Sequence, residues 1–163
     1  MKMNSAYKPV GGIESVTLYP ADAVEQAIFS SLGCEVELSG DAICVPLLDD
    51  GSLYEERTEC NGGIHRVSHT LQIVANRDNA NEWLSLDFLE RVSIEGVIAV
   101  ISLYDGRCLL AGYSAHFGSE QPMRLESLIS SSGDSPRDTP TATLRLIAQD
   151  TEFSPEILNL KNE

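Results

Sequence analysis

Between Gly96 and Asp105 the chain carries apolar side chains on both faces of one strand. Val97, Ala99, Ile101 and Leu103 point one way, and Ile98 and Val100 point the other. Such a strand is stable only when both of its faces are covered, so packing elements are required on either side. The Asp105-Gly106 pair that follows favours a tight reversal, because a type I′ turn needs positive φ at both central residues. Cys108 to Tyr113 is then expected to return as the partner strand. A second such pair, Asp50-Gly51, sits between two strand-like runs, Ala42–Leu48 and Leu53–Cys60.

Period-two alternation recurs along the chain. Val16 and Leu18 alternate with polar residues in Gly12–Tyr19, as do Cys34, Val36 and Leu38 with Glu35 and Glu37. Ile64 to Ala75 reads as one long strand, with Val67, Leu71 and Ile73 on one face and Arg66, Ser68, Thr70 and Gln72 on the other. Met123–Ile129 and Ala142–Ala148 complete the set, joined by the polar loop Ser130–Pro140, whose composition predicts exposure. Ala21–Ser31 is expected as a short helical turn after Pro20.

One longer helix is expected at about Asp78–Arg91. Asn79 stands three residues before Glu82 as a capping pair, and Trp83, Leu84, Leu86, Phe88 and Leu89 form a broad apolar stripe. Such a stripe serves either a partner helix or the face of a sheet, and packing on the sheet is the simpler reading. About eight strands with one helix and no βαβ alternation point to a mainly β fold. The expected architecture is a β-sandwich or partly closed antiparallel β-barrel with one flanking α-helix. The 163 residues suit a single domain, with 1–10 and 151–163 as extended terminal segments.

Composition narrows the partners. A net charge of −14 opposes tight nucleic-acid binding, which depends on Lys and Arg neutralising phosphates. The same charge disfavours acidic membranes, and no run approaches the ~20 apolar residues needed to span a bilayer. Residues 1–10 contain Lys2 and Lys8 but no apolar segment of the secretory kind. Cys34, Cys44, Cys60 and Cys108 are widely spaced, which favours reduced thiols inside a cell.

The chemistry-bearing residues form no recognisable motif. His65 and His69 have a four-residue spacing, but on a strand this separates them by ~13 Å, too far to share an ion bound at ~2 Å. His116 could join only one of them, and His69, in register with Val67 and Leu71, reads as a buried or interface histidine. Ser114 and His116 lie near each other without the strand–turn–helix elbow of a nucleophile. Gly11-Gly12 and Gly62-Gly63 lack the following helix of a phosphate-binding loop and read as turns. No catalytic, cofactor-binding or metal residue is therefore assigned, and the expectation is a non-enzymatic protein without cofactor.

Several features together resemble virion proteins of phages and prophages, with an arrangement similar to the tail-tube family. These are Lys8-Pro9-Val10-Gly11-Gly12-Ile13 entering a first strand, the lone helix after a long strand, the Asp105-Gly106-Arg107 hairpin, and the C-terminal strand pair around Ser132-Gly133-Asp134-Ser135-Pro136. The resemblance implies a structural subunit that assembles as a homo-oligomeric ring alongside other virion proteins. It places the chain in a bacterial host cytoplasm or in the virion. An acidic lumen would let DNA slide, and a long strand or loop would reach the next ring. The alternative is a small β-barrel module binding a ligand or protein, whose sign would be an apolar cavity on which polar groups converge.

Overall fold

A computed structural model describes residues 11–48, 50–76, 85–150 and 152–162. The described chain forms eleven strands. They are β1 (Ile13–Pro20), β2 (Val24–Phe29), β3 (Cys34–Leu38), β4 (Ile43–Val45), β5 (Leu53–Asn61), β6 (Ile64–Asn76), β7 (Val97–Leu103), β8 (Cys108–Ala111), β9 (Arg124–Ser131), β10 (Thr141–Asp150) and β11 (Ile157–Asn162). They build three open sheets with the orders β4-β1-β7-β8, β5-β6-β10-β9 and β11-β3-β2. The fold is mainly β and sandwich-like.

The doubly apolar strand explains the layering. Val97, Ala99 and Ile101 of β7 join Val16, Leu18 and Val45 in one core, against Leu71, Ile73, Leu144 and Leu146 of the second sheet. Ile98 and Val100, on the opposite face, join Tyr19 and Leu110 in a second core, against Val36, Leu38 and Ile157 of the third sheet. The sheet containing β7 is therefore the middle layer of three, and each face of the strand is covered by another sheet. Eleven strands replace the expected eight or so, and the two that the alternation did not reveal, β2 and β11, both belong to the third sheet.

The helix expected at Asp78–Arg91 is only partly described. Asn79, Trp83 and Leu84 lie outside the described residues. Within them, α1 covers Leu86–Glu90, with the Ser85 side chain accepting from Phe88 N at 3.1 Å as its cap. The helix does not stop at Arg91. It continues as a wider turn over Arg91–Glu95, closed by Gly96 N donating to Arg91 O at 2.8 Å. Phe88 and Val92 are buried in the first core, so this part of the stripe packs on the sheets. Leu86 was expected in the stripe but is 79% exposed.

Three local expectations need correction. Ala21–Ser31 contains the strand β2, not a helical turn, because Val24–Phe29 pairs antiparallel with β3 and tertiary pairing overrides local propensity. Asp50-Gly51 is not a hairpin. β4 pairs with β1 in the middle sheet and β5 with β6 in the second, so this segment is a corner between layers, held to β6 by Gln72 Nε2 donating to Gly51 O at 2.8 Å. Asp105-Gly106 does close a hairpin, but not as a type I′ turn, since no non-glycine residue among those described has positive φ. Gly106 N donates to Leu103 O and Leu103 N to Arg107 O. Those bonds are those of a three-residue loop with Gly106, at φ 94°, in the bulge position.

The two-residue turn with positive φ at both positions is Gly62-Gly63, with φ of 62° and 88°. It connects β5 to β6, where Asn61 pairs with Ile64. The resulting hairpin outruns its sheet. β10 pairs with β6 from Asn76 only as far as Val67, so beyond that point β5 is the partner of β6 among the described residues. Every residue from Arg57 to Arg66 is exposed. The long strand expected at Ile64–Ala75 thus begins in a two-stranded arm and ends in the core, with Val67, His69, Leu71, Ile73 and Ala75 buried in alternation.

Candidate functional site

The segment between β10 and β11 crosses the edges of all three layers and bonds to each in turn. The Glu152 carbonyl contacts His69 Nε2 of β6 at 2.8 Å. The Ser154 hydroxyl meets His69 Nδ1 at 3.0 Å and the Tyr54 hydroxyl. The Pro155 carbonyl accepts from Leu110 N of β8 at 3.0 Å, and the Glu156 carbonyl from Cys34 N of β3 at 2.8 Å. β11 then runs parallel to β3. The chain after Asp150 is thus tied to its own body across the second, middle and third sheets.

The network around Ser154 is anchored at the Glu152 carbonyl. A carbonyl only accepts, so in neutral His69 the proton sits on Nε2 and donates to Glu152 O. Nδ1 then accepts from the Ser154 hydroxyl, whose oxygen also meets the Tyr54 hydroxyl, itself hydrogen-bonded to the Glu56 carboxylate. His69 is 3% exposed and packs edge-on against the Tyr54 ring, with centroids 6.3 Å apart. Burial, reinforced by the neighbouring Glu56 carboxylate, pushes the Tyr54 phenol well above its ordinary range. Tyr54 is therefore a neutral donor at physiological pH.

The surroundings of the Ser154 hydroxyl are not those of an oxyanion site. Ser154 N, the donor nearest to any oxyanion formed on its own side chain, donates instead to Glu56 Oε1 at 3.1 Å. A carboxylate in that place opposes developing negative charge. The bonds hold a chain segment in position.

Beside the network opens a cleft of about 560 Å³. Ile13, Leu53, Leu103, Leu109 and Phe153 give it apolar walls, and Tyr54, Glu56 and Ser154 form one polar side. Asp105 and Arg107 stand on another side, joined at 2.9 Å. Asp105 also accepts from Arg107 N at 2.9 Å, and these Arg107 contacts hold its carboxyl below the usual carboxylate range. Gly11 and Gly12, expected as a turn, lie at the rim, where Gly12 O accepts from Tyr104 N.

The other candidate residues are dispersed. His65 is at the exposed arm, where Nδ1 lies 3.3 Å from Cys60 Sγ. His116 is exposed and stacks edge-on against Phe117. Ser114 is buried, and its hydroxyl accepts from Phe117 N at 3.0 Å inside a tight loop. Among the described residues no three His, Cys, Asp or Glu side chains gather where they could hold a metal. All four cysteines are free thiols. Burial, with Cys108 close by, pushes the Cys34 thiol up to about 11, which makes it unreactive.

The pairing of Ser154 with His69 was missed in the sequence because the two are 85 positions apart. Only the in-register burial of His69 gave any sign of it. The fold and site together define a three-layer β domain with a projecting hairpin and an inter-sheet cleft. Comparison with protein-family models, curated proteins and solved structures found no match for the chain. No helix among the described residues is long and apolar enough to cross a membrane.

Proposed function

We propose that the chain is a non-enzymatic structural subunit that self-assembles through the β5–β6 arm, as the tail-tube resemblance implies. The observation that carries this reading is the exposure of every residue from Arg57 to Arg66 on a ribbon that outruns its sheet. A two-stranded ribbon is marginal in water by itself, and this one presents Ile64 at 74% exposure. A neighbouring copy would cover that residue and pair with the free strand edges. Charge supports the same partner. The arm carries Arg57, Glu59 and Arg66, a small positive excess, whereas the whole chain stands at −14. An arm of that sign is attracted to the body of another copy.

In a ring built this way the acidic bodies would line a passage that repels phosphates, and DNA would pass without sticking. Negative-stain microscopy of the concentrated protein tests the reading. Rings or stacked rings are expected, and they should disappear when the arm is shortened by closing the hairpin at Val67. Isolated single particles at every concentration would overturn it.

A second reading, a ligand-binding module, is favoured by the cleft beside Ser154. Its volume falls within the ~300–1,000 Å³ of small-molecule sites, and its apolar walls meet polar groups at Tyr54, Glu56 and Ser154.

A further inference from the structure

We infer that the cleft beside Ser154 is a site for a small amphipathic amine, a primary ammonium carried on an apolar stem. The inference rests on the binding-module reading and names its ligand class. Charge at the cleft decides the class. Asp105 and Arg107 satisfy each other through their side chains at 2.9 Å, so that side is close to neutral. Glu56 is different. Among the described residues no Lys, Arg or His forms an ion pair with it, and its donors are Ser154 N and the Tyr54 hydroxyl.

A carboxylate offers about four acceptor positions, so Glu56 retains capacity for a further donor. Among the described residues the cleft therefore carries one carboxylate without an ion-pair partner, beside apolar walls and within a chain of −14. An ammonium brings three donors and a compact positive charge, which matches Glu56 with the oxygens of Tyr54 and Ser154 beside it. The stem would lie against Leu53, Leu109 and Phe153. An anionic ligand would face Glu56 without compensation, and a neutral one would leave the carboxylate partly desolvated.

Titration of the full chain with hexylammonium, hexanol and hexanoate, followed by amide NMR, tests this directly. Hexylammonium is expected to shift the amides of Leu53, Leu109 and Phe153 saturably, at least tenfold more tightly than hexanoate. Glu56→Gln should weaken that binding about tenfold. Arg107→Gln, a change at an exposed side chain, should tighten it by freeing Asp105. Hexanol or hexanoate binding as tightly as hexylammonium, or the two variants shifting affinity in the same direction, would overturn the amine class while leaving the cleft as a binding site. No saturable shift with any of the three probes would overturn the binding-module reading as well.

Discussion

Ser154 Oγ lies 3.0 Å from His69 Nδ1, joining the segment before the last strand to the centre of the longest one. The contact does more than satisfy a buried imidazole. It positions Pro155 and Glu156 so that their carbonyls meet Leu110 of the middle sheet and Cys34 of the third.

Ser154→Ala is therefore expected to destabilise the protein by about 1–3 kcal/mol, since it leaves the buried His69 Nδ1 without its partner. Urea unfolding measures the loss. Hydrogen exchange should quicken at the Leu110 and Cys34 amides, which bond to the same segment, more than at Leu144 in the far strand.

Alkaline pH should weaken the fold in two stages. Cys34 is raised from 9.0 to about 11, so the native state holds its proton where the unfolded chain has lost it. The stability from this thiol is complete below pH ~9 and is lost as pH rises towards 11. Tyr54, also raised, adds a further loss beginning near its ordinary value of ~10. The urea midpoint measured from pH 8 to 11 should fall, and Cys34→Ala should flatten the part between 9 and 10.

β7 serves two cores at once. Ile98→Ala and Ile101→Ala each empty a fully buried site in a different core, and each is expected to cost about 2–5 kcal/mol. The sites face opposite layers without shared partners, so the double variant should show nearly the sum. Strong non-additivity in denaturant unfolding would argue against separate cores.

The sequence carried the middle layer most clearly, because apolar residues on both faces of Val97–Leu103 demand two coverings. Alternation in Ile64–Ala75 likewise foretold the burial of Val67, Leu71 and Ile73. The third sheet was less legible. β2 has a mixed burial pattern, and it forms a strand because β3 offers it an edge, a long-range condition that local propensity does not contain. Turn chemistry misled where Asp-Gly was read without its context. Asp50-Gly51 serves a change of sheet, and the turn with two positive φ angles belongs to Gly62-Gly63. The cleft was invisible because Tyr54, Asp105 and Ser154 come together only when the second and middle sheets have stacked and the segment before β11 crosses them.

The arm carries the central claim, and sedimentation velocity across a concentration series measures it most directly. Ile64→Lys alters an exposed residue outside both cores, so the folded body should be unchanged. The native chain is expected to form larger species as concentration rises, and the Ile64→Lys chain should remain a monomer over the same range. A native chain that stays monomeric throughout, or a variant that associates equally well, would contradict assembly through the arm.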